Sequence, residues 1–267
     1  MKINFFKYQG TGNDFIIIDC RYHIIPYNNI NFLKKLCNRH FGIGADGIIL
    51  ITDDKKNSKN DFYMKYYNSD GKESTMCGNG GRCAILFAKH MEISQQNMIS
   101  FRAIDGQHYG TILKNHLVSI QMLNIDSNTI KINTKYIFLN TGSPHHIIFV
   151  KDIKNIDVNQ CGKKIQFKNE YLEEGVNVNF VQLLKNNELI IRTYERGIEH
   201  ETLSCGTGVV ASVIASYKMN KINVTKKILT YTNGGKLWVS FIAINNKYKE
   251  IYLTGSTKLI FKGLINI

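Results

Sequence analysis

The sequence predicts an α+β protein built from two similar lobes, each with strands packed around one buried helix. Two strings carry this prediction, because Cys77-Gly-Asn-Gly80 and Cys205-Gly-Thr-Gly208 each open an apolar, helix-like run. Cys205 lies 128 residues after Cys77 in a chain of 267 residues, so the two strings mark a duplicated half. Each half is long enough to bury a core of its own.

Strands account for most of the predicted regular structure. Short runs rich in Ile, Val, Phe and Tyr are separated by Asn, Asp and Gly, which is typical of a strand-rich chain. In chain order, the predicted strands cover residues 15–19, 48–52, 62–67, 99–103, 137–139, 178–183, 189–194 and 237–242.

Helices are few, and the sequence predicts them over residues 31–39, 82–91 and 206–219. The second and third are apolar on nearly every face, so we expect both to be buried. The polar stretch 124–133 is the predicted linker between the lobes. One buried helix wrapped by strands is therefore the expected unit of each lobe.

Composition favours an ordinary globular protein, with 43% hydrophobic and 21% charged residues. No apolar stretch approaches the roughly 20 residues that a membrane span needs. The start of the chain, from Met1 to Phe5, runs directly into strand-like alternation without a signal region. We therefore expect a cytoplasmic protein with no membrane partner.

A net charge of +13 raises nucleic-acid binding as an alternative from another class. The lysines are scattered among Asn and Ile, as in residues 53–59 and 218–227, and are not clustered with arginine and aromatic residues. We therefore expect no nucleic-acid partner. Salt-dependent binding to DNA or RNA, with indifference to thiol alkylation, would reverse this interpretation.

The six cysteines contain no Cys-x-x-Cys pair and no clustering with histidine, which argues against zinc, a disulfide framework and a thiol redox motif. Cys77 and Cys205 differ from the other four because each precedes a predicted helix. The unpaired N–H groups and the dipole of a helix start favour negative charge, which lowers the pKa of a thiol there. These two thiols are the predicted acid and base, and the others are interpreted as buried hydrophobic residues.

The glycines after each cysteine let backbone amides approach an anion closely. A phosphate-binding loop is the competing interpretation. Neither string matches the glycine spacing of a P-loop or of a dinucleotide-binding turn, and no ribose-binding acid follows. A carboxylate is therefore the better guest for the two helix starts.

Several motifs together resemble the diaminopimelate epimerase family, and the likeness runs from Lys7 to the tail. Proline racemases, which also use two cysteines, and phenazine-biosynthesis isomerases, which lack the pair, share the fold but match less well. The motifs are Gly10-Thr-Gly-Asn-Asp-Phe15, Gly42-Ile-Gly-Ala-Asp46, Tyr67-Asn-Ser-Asp-Gly71, Met76-Cys-Gly-Asn-Gly-Gly-Arg-Cys83, Tyr194-Glu-Arg-Gly197, Ser204-Cys-Gly-Thr-Gly208 and Leu253-Thr-Gly-Ser256.

The resemblance implies two pseudo-symmetric lobes, each a curved mixed or antiparallel sheet wrapped around a central buried helix, with the active site in the cleft between lobes. Residues 1–123 and a C-terminal return, 254–267, would form the first lobe, and residues 124–253 the second. The implied activity is cofactor-independent and metal-independent interconversion of L,L- and meso-diaminopimelate, for lysine and peptidoglycan synthesis. A homodimer is compatible with the sequence, although nothing in it requires one.

The family's site residues carry over one at a time. Cys205 would accept the α-proton and Cys77 would donate one to the opposite face, while His145 would tune a catalytic thiol. Backbone amides at the two helix starts would bind the reacting carboxylate. The substrate-binding residues implied are Asn13, Asn68, Gly78, Asn79, Asn177, Glu195, Arg196, Gly206 and Thr207. Glu195 is also assigned to the catalytic set, and His146 is interpreted as a residue on the opposite face of its strand.

Two positions depart from the family pattern. Ser143 stands where many members have asparagine, which removes an amide contact, and Gly47 stands where some have glutamine. Both leave the reaction unchanged and alter only the substrate contacts. The nearest alternative is another amino-acid racemase of the same fold, which would act on proline or hydroxyproline and not on diaminopimelate.

Overall fold

The computed structural model describes residues 2–22, 25–223 and 227–266, and within these ranges the chain forms four α-helices and eighteen β-strands. The helices are α1 (Ile30–Cys37), α2 (Gly78–His90), α3 (Val158–Gln166) and α4 (Gly206–Lys218). The strands are β1 (Lys2–Gly10), β2 (Asn13–Asp19), β3 (Gly47–Thr52), β4 (Phe62–Asn68), β5 (Glu73–Ser74), β6 (Met98–Ala103), β7 (Gly106–Ile112), β8 (Leu117–Gln121), β9 (Ile125–Asp126), β10 (Lys131–Ile132), β11 (Ile137–Asn140), β12 (Pro144–Phe149), β13 (Asn177–Leu183), β14 (Leu189–Glu195), β15 (His200–Thr202), β16 (Ile228–Thr232), β17 (Gly235–Ile244) and β18 (Lys247–Asn266).

The chain divides into two compact units. The first consists of Met1–Ile120 with Gly255–Ile267, and the second of Gln121–Thr254. The long strand β18 therefore begins in the second unit and ends in the first.

The first unit is a mixed set of strands around α2. In it, β2 and β3 pair in parallel, β3 and β4 antiparallel, β4 and β5 antiparallel, β4 and β6 in parallel, and β6 and β7 antiparallel. The antiparallel pairs of β1 with β2 and with β18 extend this set. Helix α2 packs against β1, β2, β3 and β7 and is buried from its first residue to Ala88.

The second unit repeats this pattern of pairing around α4. Strands β12 and β13 are parallel, β13 and β14 antiparallel, β14 and β15 antiparallel, β14 and β16 parallel, and β16 and β17 antiparallel. Helix α4 packs against β11, β12, β13, β14 and β17, and nearly every side chain on it is buried. The predicted duplication of a helix wrapped by strands is confirmed.

The start of α2 corrects one sequence prediction, because the helix begins at Gly78 and not at residue 82. Its glycines are poor helix formers, and tertiary packing overrides that preference. A Cβ atom at Gly81 would lie 2.5 Å from Ile120 Cδ1 and 2.7 Å from Met76 Sδ, so the glycine lets the helix pack closely against these two side chains.

Two further differences concern the second unit. Helix α3 is short and polar and was not predicted, although Asp157 is its N-cap and the Asp157 side chain accepts a hydrogen bond from the Gln160 N–H. An acidic residue three positions before glutamine at a helix start is a capping signal that could have revealed it. The predicted linker 124–133 contains the short strands β9 and β10, and β9 pairs with β18.

Candidate active site

Cys77 lies at the N-cap position of α2, with an extended backbone at φ −83° and ψ 128°. Its carbonyl accepts the first helical hydrogen bond, from the Gly81 N–H at 2.7 Å. The thiol is therefore held at the positive end of a helix dipole, as the sequence predicts.

The side chain of Asn13 meets Cys77 across the end of β2. Asn13 Oδ1 lies 3.7 Å from Cys77 Sγ and 3.5 Å from Asn79 Nδ2. Asn13 Nδ2 donates to Asp46 Oδ2 at 2.5 Å, which orients the amide with its oxygen toward the thiol. Three of the residues predicted for the first half-site, Asn13, Cys77 and Asn79, are thus brought together.

A group of four charged residues supports this amide. Arg39 donates to both oxygens of Asp14 at 2.9 Å and to Asp46 Oδ1 at 2.8 Å, and Lys7 Nζ lies 2.8 Å from Asp14 Oδ2. Burial acts to raise the pKa of Asp14, but the hydrogen bonds from Arg39 and Lys7 outweigh it and hold that pKa well below its usual range. The charges are balanced in number, and they fix Asp46 beside Asn13.

Arg82, one turn into α2, is a functional candidate that the sequence analysis did not single out. Its side chain is fully buried and donates to Gly78 O at 3.1 Å, Thr11 Oγ1 at 2.8 Å and Asn79 Oδ1 at 2.9 Å. Burial lowers the pKa of the guanidinium to about 10, so it stays cationic at neutral pH. No carboxylate pairs with it among the residues that the structure describes.

Asn68 and Gly47 are opposite one another where β4 pairs with β3. The backbone of Asn68 forms a turn with Lys72 and Gly71, and its side chain is exposed. A Cβ atom at Gly47 would lie 2.6 Å from the Tyr66 ring, so packing requires glycine here and a glutamine would not fit. The structure does not bring Asn68 into hydrogen-bond contact with Cys77 among the described residues.

Cys205 occupies the equivalent N-cap position of α4, at φ −114° and ψ 110°, and only 6% of its surface is exposed. Its Sγ lies 3.4 Å from Thr207 Oγ1, and the carbonyl of Thr207 accepts a hydrogen bond from Thr141 Oγ1 at 3.0 Å. The second thiol is thus also held at a helix start, with a hydroxyl group beside it.

His145 lies on β12, opposite Asn177 of β13, and its ring is fully buried. Its Nε2 is 3.0 Å from Ser143 Oγ and its Nδ1 is 3.0 Å from Asn179 Nδ2. Burial, with a smaller effect from the charge of Arg196, lowers the pKa of His145 to about 3, so the imidazole is neutral at physiological pH. It therefore acts as a hydrogen-bonding group and not as a proton-exchanging acid.

Glu195 and Arg196 come at the end of β14. The Glu195 carboxylate accepts a hydrogen bond from Thr202 Oγ1 at 2.9 Å. The Arg196 backbone N–H donates to Asn177 Oδ1 at 2.9 Å, and its guanidinium donates to Glu174 O. Ser143, His145, Asn177, Arg196, Thr207 and Cys205 are therefore connected within the second unit.

The neighbouring His146 belongs to a different cluster. Its Nδ1 lies 2.8 Å from the Tyr171 hydroxyl, and its ring stacks on Tyr136 with centroids 4.1 Å apart. Burial, with Lys168 as a smaller cause, lowers its pKa to about 4. Alternation along β12 turns this histidine away from the bonds that His145 makes.

Asn179 and Thr193 are members of the second half-site that the sequence analysis missed. Asn179 Oδ1 accepts from Thr193 Oγ1 at 2.9 Å, and both side chains are buried. Asn179 is two residues after Asn177 on one strand, so the two share a face. That alternation was the signal that could have found Asn179.

Comparison with known proteins gives one consistent family. A family model described as diaminopimelate epimerase matches residues 5–122 and 137–260. The chain is 48% identical to a diaminopimelate epimerase of Flavobacterium psychrophilum over 260 residues, which covers 97% of this chain and 99% of that one. It is 36% identical to the Aquifex aeolicus protein of the same name, with 99% and 98% covered.

Solved structures with low identity share the fold. A phenazine biosynthesis protein of Bacillus anthracis superposes with a TM-score of 0.71 at 14% identity, with all of both chains covered. A hydroxyproline epimerase of Agrobacterium vitis gives a TM-score of 0.71 at 12% identity, covering 99% of this chain and 92% of that one. At such identities the likeness concerns the fold alone.

Proposed function

The chain belongs to the diaminopimelate epimerase family, and we propose that its Cys77 and Cys205 invert one α-carbon of diaminopimelate by acting on the two faces of that carbon. The protein is an isomerase that interconverts the L,L and meso forms, a step of lysine biosynthesis. The observation that carries the mechanism is the placement of both thiols at the N-cap positions of buried helices in two units of the same topology.

Each turnover removes one proton from the α-carbon and adds one proton to the opposite face of that carbon. The Cys205 thiolate takes the α-proton, so the C–H bond breaks and an S–H bond forms. The Cys77 thiol then gives its proton to the opposite face of the carbon, so its S–H bond breaks and a new C–H bond forms. The enzyme ends with the protonation states exchanged, which is the form that catalyses the reverse reaction.

Loss of the α-proton gives an intermediate with enolate-like charge on the α-carboxylate. Because that proton is very weakly acidic, the enzyme must stabilise this charge. We assign the backbone amides of Gly78, Asn79, Gly206 and Thr207 to this carboxylate. The loss of one preorganised donor of this kind typically costs a few kcal/mol of transition-state stabilisation. Two helix starts supply them without reorganisation during the reaction.

The remaining assignments concern recognition of the substrate. We assign Asn13, Asn68, Asn177, Glu195 and Arg196 to its amino and carboxylate groups. Support comes from the fixed orientations of Asn13 and Asn177, each of which is held by a neighbouring hydrogen bond. His145 is neutral and buried, so its contribution passes through its hydrogen bonds.

Isotope exchange tests the mechanism. In D₂O the purified protein should place one deuterium at the α-carbon of each diaminopimelate molecule that it inverts, with no added pyridoxal phosphate or metal. Retention of full activity in EDTA and after treatment with hydroxylamine is the matching control. Dependence on a metal or on pyridoxal phosphate would contradict the two-thiol mechanism.

The same assay separates the family activity from that of the racemases with this fold. Proline and hydroxyproline should show no α-deuterium under conditions in which diaminopimelate is fully exchanged. The cytoplasmic location and a homodimer stay predictions. Among the described residues, none of the helices is long and apolar enough to span a membrane.

A further inference from the structure

A continuous series of hydrogen bonds connects the buried side chain of Asn179, in the second unit, to the sulfur of Cys205. Asn179 Nδ2 lies 3.0 Å from His145 Nδ1, and His145 Nε2 lies 3.0 Å from Ser143 Oγ. Ser143 Oγ lies 3.2 Å from Thr207 Oγ1, which lies 3.4 Å from Cys205 Sγ. We call these five residues the Cys205 chain.

The first bond has a fixed direction. Asn179 Nδ2 is also 3.4 Å from the Asn177 carbonyl, which can only accept, and Asn179 Oδ1 accepts from the Thr193 hydroxyl. The amide nitrogen therefore donates to His145 Nδ1. Since the ring is neutral, its one hydrogen is on Nε2, and His145 donates to Ser143.

The third bond, between Ser143 and Thr207, has a fixed direction for a related reason. Asn177 Oδ1 accepts from the Arg196 backbone N–H, so Asn177 Nδ2 is the group that donates to Ser143 Oγ, at 3.1 Å. Ser143 Oγ then accepts from both His145 and Asn177, which uses its two lone pairs. Its own hydrogen is left to donate to Thr207.

The Thr207 hydroxyl thus accepts from Ser143 and donates to Cys205. We propose that Ser143 is a positioning residue, which passes the donation of His145 through Thr207 to the sulfur of Cys205 and so stabilises the thiolate. This inference rests on the proposed function. When Cys205 is protonated, its thiol hydrogen is not used in the contact with Thr207, because Thr207 is the donor in that contact.

Among the described residues, the charge of Arg196 acts on His145 from the end of β14, and Glu195, the residue before it, accepts a hydrogen bond from Thr202 on β15. His145 on β12 is neutral. Replacing Ser143 with alanine changes none of these charges. A shift in the titration of Cys205 would therefore report the hydrogen bonds and not a lost charge.

The test is the pH dependence of alkylation. Iodoacetamide modification of Cys205 and Cys77 would be followed by peptide mass spectrometry between pH 5.5 and 9.5, in one sample of folded protein. We expect Ser143→Ala to raise the apparent pKa of Cys205 by up to about one unit, which slows its alkylation at low pH up to about tenfold, because Thr207 loses the hydrogen bond that polarises its hydroxyl and directs its hydrogen to the sulfur. The Cys77 profile should not move.

Three further variants complete the design. Thr207→Val should reproduce the shift and Ser143→Thr should restore the original profile, since threonine keeps the hydroxyl. Ser216→Ala is the matched control, because it removes a buried hydroxyl of α4 that donates to Ser212 O at 2.7 Å. Thermal unfolding would establish that each variant is folded.

The outcomes divide cleanly. An unchanged Cys205 profile in folded Ser143→Ala and Thr207→Val overturns the inference, even where turnover falls, because Ser143 would then act on the substrate alone. The alkylation needs no diaminopimelate. Failure of the unaltered protein to epimerise diaminopimelate would therefore count against the proposed function, while the alkylation profiles would still test the role of Ser143.

Discussion

The two half-sites have the same topology but different electrostatics. Around Cys77, the supporting groups are charged: a balanced set of Lys7, Asp14, Arg39 and Asp46, and the buried cation of Arg82. Around Cys205, the supporting groups are the neutral side chains of the Cys205 chain. One fold can therefore hold a thiol at a helix start by two different means, since the strand pairing sets the position and the side chains set the polarity.

The largest expected effect tests whether both half-sites are needed. Cys77→Ala and Cys205→Ala should each lower turnover in both directions by at least about 10³-fold, because each removes a positioned proton-transfer group. Serine should rescue neither, since a hydroxyl is far less acidic than a thiol. The double variant should be scarcely worse than either single one.

The matched control is Cys161→Ala, which removes a half-buried thiol of α3. It should keep near-normal turnover, as should the alanine variants of Cys20, Cys37 and Cys83 once their stability is accounted for. Turnover near that of the unaltered protein in Cys77→Ala or Cys205→Ala would leave those thiols as packing residues.

The next effect tests the charged side of the comparison. Arg82→Met should lower the free energy of unfolding by about 3 kcal/mol, because it removes the buried hydrogen bonds that Arg82 donates to Gly78 O, Thr11 Oγ1 and Asn79 Oδ1. Urea denaturation measures this, with the exposed Lys89→Met at the other end of α2 as the control. Unchanged or higher stability would show that burying the cation costs more than its hydrogen bonds contribute.

A smaller effect concerns acid and belongs to the second unit. The folded-state pKa of His145, about 3, lies below the unfolded value of 6.5, so the unfolded chain binds an extra proton between these values and stability falls as pH falls below 6.5. At pH 5 the loss from this residue should be roughly 2 kcal/mol. His146, with a pKa of about 4, should add a similar share in the same window.

Urea denaturation at pH 7 and pH 5 checks this window. His145→Gln should remove about half of the histidine contribution, and His146→Gln the other half. The carboxylate of Asp14 acts in the same sense but in a lower pH window, because its depressed pKa contributes stability that is lost only as the pH falls below the usual pKa of an aspartate. A full acid-induced loss between pH 7 and pH 5 in the double variant would assign the effect elsewhere.

The smallest effect separates charged from neutral support. Arg39 is 57% exposed in its side chain, so Arg39→Gln should cost no more than about 1 kcal/mol in unfolding free energy. High salt should shrink that difference, because screening already weakens an exposed ion pair. The effect of Ser143→Ala on stability should not depend on salt, and an equal salt dependence for both variants would remove the contrast between the half-sites.

Much of this protein could be read from the sequence, for local reasons. The repeated Cys-Gly-x-Gly strings indicated that a helix follows each of the two cysteines, and the apolar composition of α4 indicated its burial. Short-range patterns failed where packing decides, as at the start of α2, where four residues of low helix propensity are helical because Gly80 and Gly81 lie against neighbouring side chains. Helix α3 was missed because it is short and polar.

The sequence by itself determined the duplicated architecture, the two thiols and the family, because these depend on residue types at fixed spacing along the chain. Only the tertiary structure decided how each thiol is supported. Asn13 reaches Cys77, and Ser143 and His145 reach Cys205 by way of Thr207, because the packing of α2 and α4 on their strands brings together residues 64 positions apart. Whether Ser143 donates to Thr207 or accepts from it depends on which hydrogen bonds the neighbouring side chains already make, and those hydrogen bonds form only once the chain is folded.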